Sequence, residues 1–108
     1  MNAMTQKSNQ GTSLIQIARA KDTTPDQLEN LLTTPNPVVA INIAGRTDLN
    51  DELAARLSVD SRAAVRLRVA KNPATPRHVL ERLQHDTSEG VREAAVSTLV
   101  QVSIQKDD

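Results

Sequence analysis

The chain has 108 residues, of which 38% are apolar, and it contains no cysteine, phenylalanine, tyrosine or tryptophan. A chain of this length forms one domain, whose core must here consist of leucine, isoleucine, valine and alanine. The absence of cysteine excludes disulfides, thiolate nucleophiles, iron–sulfur clusters and cysteine-based zinc sites. The absence of aromatic rings removes the side chains that most often anchor bases, sugars and peptides.

The formal net charge is zero, but the two signs of charge are segregated along the chain. Residues 22–55 contain six acidic residues and one basic residue, whereas residues 56–82 contain seven basic residues and two acidic ones. The net charges of the two segments are therefore −5 and +5. This asymmetry makes the basic strip 56–82 a candidate surface for an acidic protein or a nucleic acid.

The first residues, MNAMTQKSNQGTS, are polar and lack the apolar run of a signal peptide. We expect a disordered tail over 1–12, a single helical domain over 13–104 and a flexible end over 105–108. No stretch approaches the roughly 20 apolar residues that cross a bilayer, so a soluble cytoplasmic protein without membrane contact is expected.

From residue 14 onward, one apolar pattern returns every 26 residues, about three and a half times in all. Periods of this size indicate stacked units that bury their apolar faces on one another. The recurring positions are Ala18, Ala44 and Ala70, Leu31, Leu57 and Leu83, and Val39, Val65 and Val91.

The first element of each copy is ambiguous. LIQIA, AINIA and RLRVA alternate apolar and polar residues, as a strand would. A short helix is favoured, because EGVREAAVSTLVQV has helical spacing and the other copies are rich in alanine and arginine. Whether this element is an α-helix or a 3₁₀-helix stays open.

A second, leucine-bearing helix is predicted in each copy from its start signals. Thr24 can cap this helix, with Pro25 at its first position and Gln27 completing a capping box. Asn50 and Thr75 supply the corresponding caps in the next two copies. The acidic cluster DLNDE then belongs to a helix N-terminus, because it lacks the glycine turn and distal glutamate of a calcium loop.

The segment VAKNPATPRHVLERLQHDTSEGVR closely resembles the leucine-rich repeat variant family. The matching positions are Ala70, Asn72, Pro73, Thr75, Pro76, Leu80, Leu83, Asp86, Val91 and Arg92. The match is weaker over 44–66, and over 18–40 both the loop aspartate and the arginine are missing. The resemblance implies an all-α right-handed solenoid that alternates α-helices and short 3₁₀-helices; HEAT-like helical repeats would give the same architecture. It brings no catalytic residues, and nothing in this chain could ligate the iron–sulfur cluster associated with the family.

Few residues point to catalysis or to a metal. His78 and His85 are the only histidines, and their spacing of seven differs from the three or four usual for metal-binding pairs on a helix. Glycine-rich phosphate loops and nucleophile elbows are also missing from the sequence. We therefore expect no enzyme activity, no cofactor and no metal.

The arginines divide into two groups. Arg66 and Arg92 each lie six residues after an aspartate, Asp60 or Asp86, which predicts a repeated Arg–Asp clip within each unit. Arg56 is expected to pair with Asp60, one helical turn further on. The remaining cations occupy no repeated position, have few acids near them in sequence, and are the candidate interaction surface: Arg62, Arg68, Lys71 and Arg77.

These features predict a non-catalytic scaffold that binds another protein, since solenoids present extended surfaces. Nucleic-acid binding along the basic strip is the alternative, because arginine suits phosphate, although a neutral chain without aromatics lacks the usual footprint. Self-association is the third hypothesis. It would use the N-terminal end, where Leu14, Ile15 and Ile17 have no obvious cover.

If a homodimer forms through that end, Ile15→Lys or Ile17→Lys should give a soluble monomer, because a buried lysine charge opposes an apolar interface. Light scattering on the wild type and both variants measures the mass in solution. A mass that does not change would rule out this interface.

Overall fold

The computed structural model describes the backbone of residues 14–106 and the side chains of residues 14–104. Every regular element in this range is an α-helix, which confirms the all-α prediction. The segments LIQIA, AINIA and RLRVA, in which apolar and polar residues alternate, are therefore helical and not strands. The helices are α1 (14–19), α2 (Pro25–Leu31), α3 (Pro37–Ala44), α4 (Asp51–Leu57), α5 (Ala63–Lys71), α6 (Arg77–Leu83) and α7 (Glu89–Lys106). The tail predicted over 1–12 lies outside the described residues, and α7 continues two residues beyond the domain end expected at 104.

The helix boundaries keep the spacing of the sequence. The second helices, α2, α4 and α6, begin and end at positions 26 residues apart, and so do the starts of α3, α5 and α7. We call α1, α3, α5 and α7 the first helices. Both kinds of helix are α-helical, whereas the resemblance implied 3₁₀-helices at alternate positions.

Two of the three predicted caps are present. Thr24 and Gln27 form the capping box of α2, and the Asn50 side chain accepts the Leu53 N–H of α4. The prediction for Thr75 is wrong, because α6 begins after Pro76 and has no side-chain cap. The Thr75 hydroxyl is buried and donates instead to the Val69 carbonyl at 2.8 Å, where it satisfies the C-terminal end of α5.

The nine recurring apolar positions are all buried and form about half of the core. Alanine occupies a position at or next to the C-terminal end of α1, α3 and α5: Ala18, Ala44 and Ala70 are completely inaccessible to solvent. Small side chains let another helix approach closely, and α3 packs against α5 as α5 does against α7.

The carbonyl groups of these three alanines are each bound by a buried side chain 28 residues further along the chain. The three bonds run from Arg46 Nη1 to Ala18 O (2.7 Å), from Asn72 Nδ2 to Ala44 O (2.8 Å) and from Thr98 Oγ1 to Ala70 O (2.6 Å). Because carbonyls at a helix end lack partners within their own helix, each bond both satisfies a buried acceptor and ties one first helix to the next segment.

The last helix differs from the other first helices. It is 18 residues long, twice the length of α5, and it packs against both α5 and α6. Its outward face carries a row of solvent-exposed apolar side chains, Val96, Val100 and Ile104, which are 46%, 53% and 64% accessible.

Asn72→Ala should lower the free energy of unfolding by about 2–3 kcal/mol, because it leaves several buried groups without partners. The Asn72 amide donates to the Ala44 and Arg46 carbonyls and accepts from the Ala74 N–H. Urea denaturation measures the change. Asn30→Ala, on the exposed face of α2, is the control and should change stability by less than about 0.5 kcal/mol; equal midpoints for the two variants would contradict the assignment.

Candidate functional site

A cleft of about 510 Å³ lies where the C-terminal ends of α1 and α3 meet the side of α5. Its floor and walls come from three consecutive first helices and from the turns that follow α1 and α3. The lining residues are Arg19, Lys21, Ile41, Asn42, Gly45, Arg46, Thr47, Asp48 and Arg68. Four of these nine side chains are cationic and one is anionic, so the cleft is strongly basic within a chain of zero net charge.

One of the four cations is part of the fold. Nε and Nη2 of Arg46 donate to the two carboxylate oxygens of Asp48 at 2.8 and 3.0 Å, while Nη1 binds Ala18 O. The hydrogen bonds from Arg46 hold the pKa of Asp48 below its usual value, against the smaller opposing effect of burial. Arg46 and Asp48 therefore form a pair of zero net charge, in which the guanidinium is buried and the Asp48 carboxylate faces solvent.

The other three cations have no such partner. Arg19, Lys21 and Arg68 form no ion pair with any carboxylate of the part of the chain that the structure describes. Arg19 and Lys21 are exposed and Arg68 is half-buried. Three unneutralised cations around one cleft repel one another, and nothing in the packing of the helices requires them there.

The Arg68 guanidinium lies against Gly45, at the C-terminal end of α3. A Cβ atom at residue 45 would stand 2.8 Å from Nη2 and 2.9 Å from Nε of Arg68. The negative end of the α3 dipole favours a cation at this place. The guanidinium nevertheless donates no hydrogen bond to a described residue, unlike the guanidinium of Arg46.

The four cations of the predicted interaction surface are not one strip. Arg68 lines the cleft, and Lys71 is exposed one turn further along α5. Arg62 lies at the opposite end of α5, where it binds both oxygens of Asp60 and the Pro35 carbonyl. Arg77 is on α6.

The expectation that these cations have few acids near them is therefore wrong for two of the four. Arg62 Nε lies 2.9 Å from Oδ1 of Asp60, which is only two residues earlier in the chain. Arg77 pairs with Glu81 at 3.3 Å along one face of α6. Neither pair was predicted, because Asp60 was assigned by its spacing to Arg56 and Arg66, and Glu81 was assigned to no arginine.

The predicted Arg–Asp clips exist in an altered form. Arg66 Nη1 donates to the backbone carbonyl of Asp60 at 2.7 Å, and Arg92 Nη1 to that of Asp86 at 2.9 Å, so each clip ends on the main chain. The carboxylate of Asp86 instead binds Nε and Nη2 of Arg66 from the preceding first helix. The ion pair thus joins two segments 20 residues apart, and it is largely buried.

The Arg56–Asp60 pair predicted from their spacing is absent. Arg56 Nη1 lies 3.2 Å from Glu29 Oε1 on the neighbouring second helix. The reason is competition, since Arg62 already occupies both oxygens of Asp60.

Sequence reasoning missed Arg19, Lys21 and Gly45 as parts of a site. Arg19 and Lys21 lie before the segment of positive net charge, and Gly45 carries no charge to attract notice. The 26-residue spacing contained a usable signal, because Arg19, Gly45 and Lys71 occupy the same position in three successive copies. The middle copy has glycine where the copies before and after it have a cation, and the Arg68 guanidinium lies against that glycine.

Other candidates lie elsewhere on the described surface. Both histidines are exposed, and within residues 14–104 no group of three His, Asp or Glu side chains is placed to hold a metal ion. None of the helices between residues 14 and 106 has the length and apolarity that a membrane span requires.

At the proposed self-association end, Leu14 and Ile15 pack against the core and Ile17 is 40% exposed. Ile17→Lys therefore tests self-association with less disturbance of the core than Ile15→Lys.

Acid should destabilise the protein through its paired aspartates. Burial favours neutral Asp86, but hydrogen bonds from Arg66 and the Ser88 N–H outweigh it and lower the pKa of Asp86. The pKa of Asp60 is lowered chiefly by the hydrogen bond from Arg62. A lowered folded-state pKa stabilises the fold above the unfolded pKa, about 3.9, and this contribution is lost as pH falls through the folded value.

We therefore expect urea midpoints to change little from these groups between about pH 7 and 5 and to fall below about pH 4. Asp86→Asn should lower stability at neutral pH by about 2–3 kcal/mol and reduce the further loss in acid. Asp22→Asn, on an exposed turn, is the control. An Asp86→Asn curve parallel to that of the wild type at all pH values would contradict this role.

Comparison with known proteins gives no relative from which a function could be inferred. No protein-family model, no curated protein and no solved structure matches this chain. The resemblance to the leucine-rich repeat variant family therefore stays a prediction that rests on the residues between Ala70 and Arg92, and the cleft must be interpreted from its own geometry.

Proposed function

We propose that this chain is a non-catalytic protein-interaction module whose basic cleft binds an acidic segment of a partner protein. The observation that carries the proposal is the set Arg19, Lys21 and Arg68, gathered around one cleft without ion-pair partners among the described residues. Five of the nine arginines pair with carboxylates, and the others without a described ion pair, Arg82 and Arg92, lie outside the cleft. An acidic partner would supply the missing charge.

The proposal includes a right-handed superhelical arrangement of the helices. It is supported by the 26-residue spacing of the helix boundaries and by the three side-chain bonds to the alanine carbonyls. Neighbouring helices pack at about 8–10 Å, so such an array would place Arg19 and Lys71 on either side of Gly45. The cations would then form a row across three first helices, suited to an extended peptide.

Several features favour an acidic protein over a nucleic acid. The chain has no net charge and no aromatic side chain on which a base could stack. The cleft also contains Ile41 and the exposed carboxylate of Asp48, which suit a peptide of mixed character better than a continuous phosphate backbone. Nucleic-acid binding through the same cations is the alternative.

The test compares labelled ligands by fluorescence anisotropy at about 50 and 200 mM salt. The ligands are a short glutamate-rich peptide, duplex DNA, single-stranded DNA and RNA. We expect the peptide to bind at low salt, to bind more weakly at high salt, and to bind more tightly than any nucleic acid. Arg19→Ala/Arg68→Ala should weaken peptide binding by at least about tenfold, since each removed guanidinium can donate charged hydrogen bonds.

Arg77→Ala/Arg82→Ala is the matched control, because it removes the same charge from exposed positions on α6, outside the cleft. It should leave the affinity nearly unchanged. Equal losses in the two double variants would show only non-specific attraction. A nucleic acid that binds more tightly than the peptide, and is released by the cleft variant alone, would assign the cleft to nucleic acid.

A further inference from the structure

We infer that Arg68 grips one carboxylate of the acidic partner through its guanidinium fork, and that Gly45 is the positioning residue that lets it do so. This inference rests on the proposed function and names the group that the cleft recognises. Gly45 would act only through Arg68, by leaving open the space in which the guanidinium lies.

The contact between Gly45 and Arg68 leaves no room for a side chain at residue 45 while the guanidinium lies there. A Cβ atom at residue 45 would lie 2.8, 2.9 and 3.0 Å from Nη2, Nε and Cζ of Arg68, closer than a Cβ atom normally approaches a nonbonded nitrogen or carbon. The backbone of Gly45 has φ of −92°, which any residue can adopt. Glycine therefore matters at this position for space and not for conformation. Any larger residue must displace the guanidinium, which is the end of a flexible side chain and can move at little cost to the fold.

Arg46 and Arg68 differ in the hydrogen-bond donors that they have available. Nε, Nη1 and Nη2 of Arg46 all donate to Asp48 or Ala18, so few of its N–H groups could bind a ligand. Arg68 has five N–H groups and directs none of them to a described acceptor. The negative end of the α3 dipole favours a cation here without occupying its donors. The Arg68 guanidinium thus lies at the cleft with its donors available.

The groups around Arg68 favour a carboxylate as the ligand. A guanidinium fork matches the two oxygens of a carboxylate in a planar, bidentate pair. Ile41 offers apolar surface for the aliphatic stem of an aspartate or glutamate. The Asp48 carboxylate is 55% exposed at the cleft, and it would oppose a doubly charged phosphate more than a singly charged carboxylate. Glutamate or aspartate side chains of the partner are therefore the expected ligands.

The experiment is a binding cycle with the glutamate-rich peptide on the full-length chain, using Gly45→Ala, Arg68→Ala and the double variant. Gly45→Ala should weaken binding about tenfold, and the double variant should bind no more weakly than Arg68→Ala alone. Gly90→Ala is the matched control, because the nearest atom to its added Cβ would be 4.0 Å away, and it should bind like the wild type. Urea midpoints verify that each variant folds.

A second variant tests the fork without new bulk. Arg68→Lys keeps the charge but loses the bidentate geometry, and it should also weaken binding. A phosphoserine peptide and a glutamine peptide complete the set; the first should bind more weakly than the glutamate peptide and the second not at all.

The outcomes separate the inference from the proposed function. Wild-type protein that fails to bind the glutamate peptide overturns both. Binding by the wild type with no loss in Gly45→Ala, or with losses that add in the double variant, overturns the inference and leaves the function intact. Tighter binding of the phosphoserine peptide overturns the choice of carboxylate.

Discussion

The structure depends on how the ends of its first helices are satisfied. The described helices before α7 have six to nine residues, too few to be stable alone, and most of their terminal carbonyls have no partner within the helix. Burying one such carbonyl without a donor would cost about 1–3 kcal/mol, roughly what one fully buried valine contributes. Arginine, asparagine and threonine meet this need in turn at positions 46, 72 and 98, which shows that the place demands a donor and tolerates different sizes.

The arginines take on distinct tasks once these ends are closed. Arg46 and Arg66 reach buried or half-buried acceptors and join segments that are far apart in sequence. Arg56 and Arg77 make exposed ion pairs of the kind that contributes little stability. Arg68 belongs to neither group, since it is half-buried, lies beside a glycine and is bonded to no described acceptor. A cation that the fold itself does not use is the natural candidate for a role in binding.

The sequence predicted the helices better than the site. Helix positions follow from the 26-residue period and from local signals such as Thr24 and Asn50, which act within a few residues of themselves. Side-chain partners depend on competition among neighbours in space: Asp60 was assigned to Arg56 by spacing but is held by Arg62. The cleft combines residues 49 positions apart, from Arg19 to Arg68. No local pattern brings these together, and only the shared position of Arg19, Gly45 and Lys71 hinted at it.

The continuous last helix interrupts the alternation of first and second helices. In α3 and α5 the chain leaves the helix after eight or nine residues, turns, and lays a second helix alongside. In α7 it does not turn, and the later part of the helix lies beside α6, where Ser103 meets Arg77. The later part of α7 therefore covers the side of α6 where a further second helix would pack, so one continuous helix supports both α5 and α6.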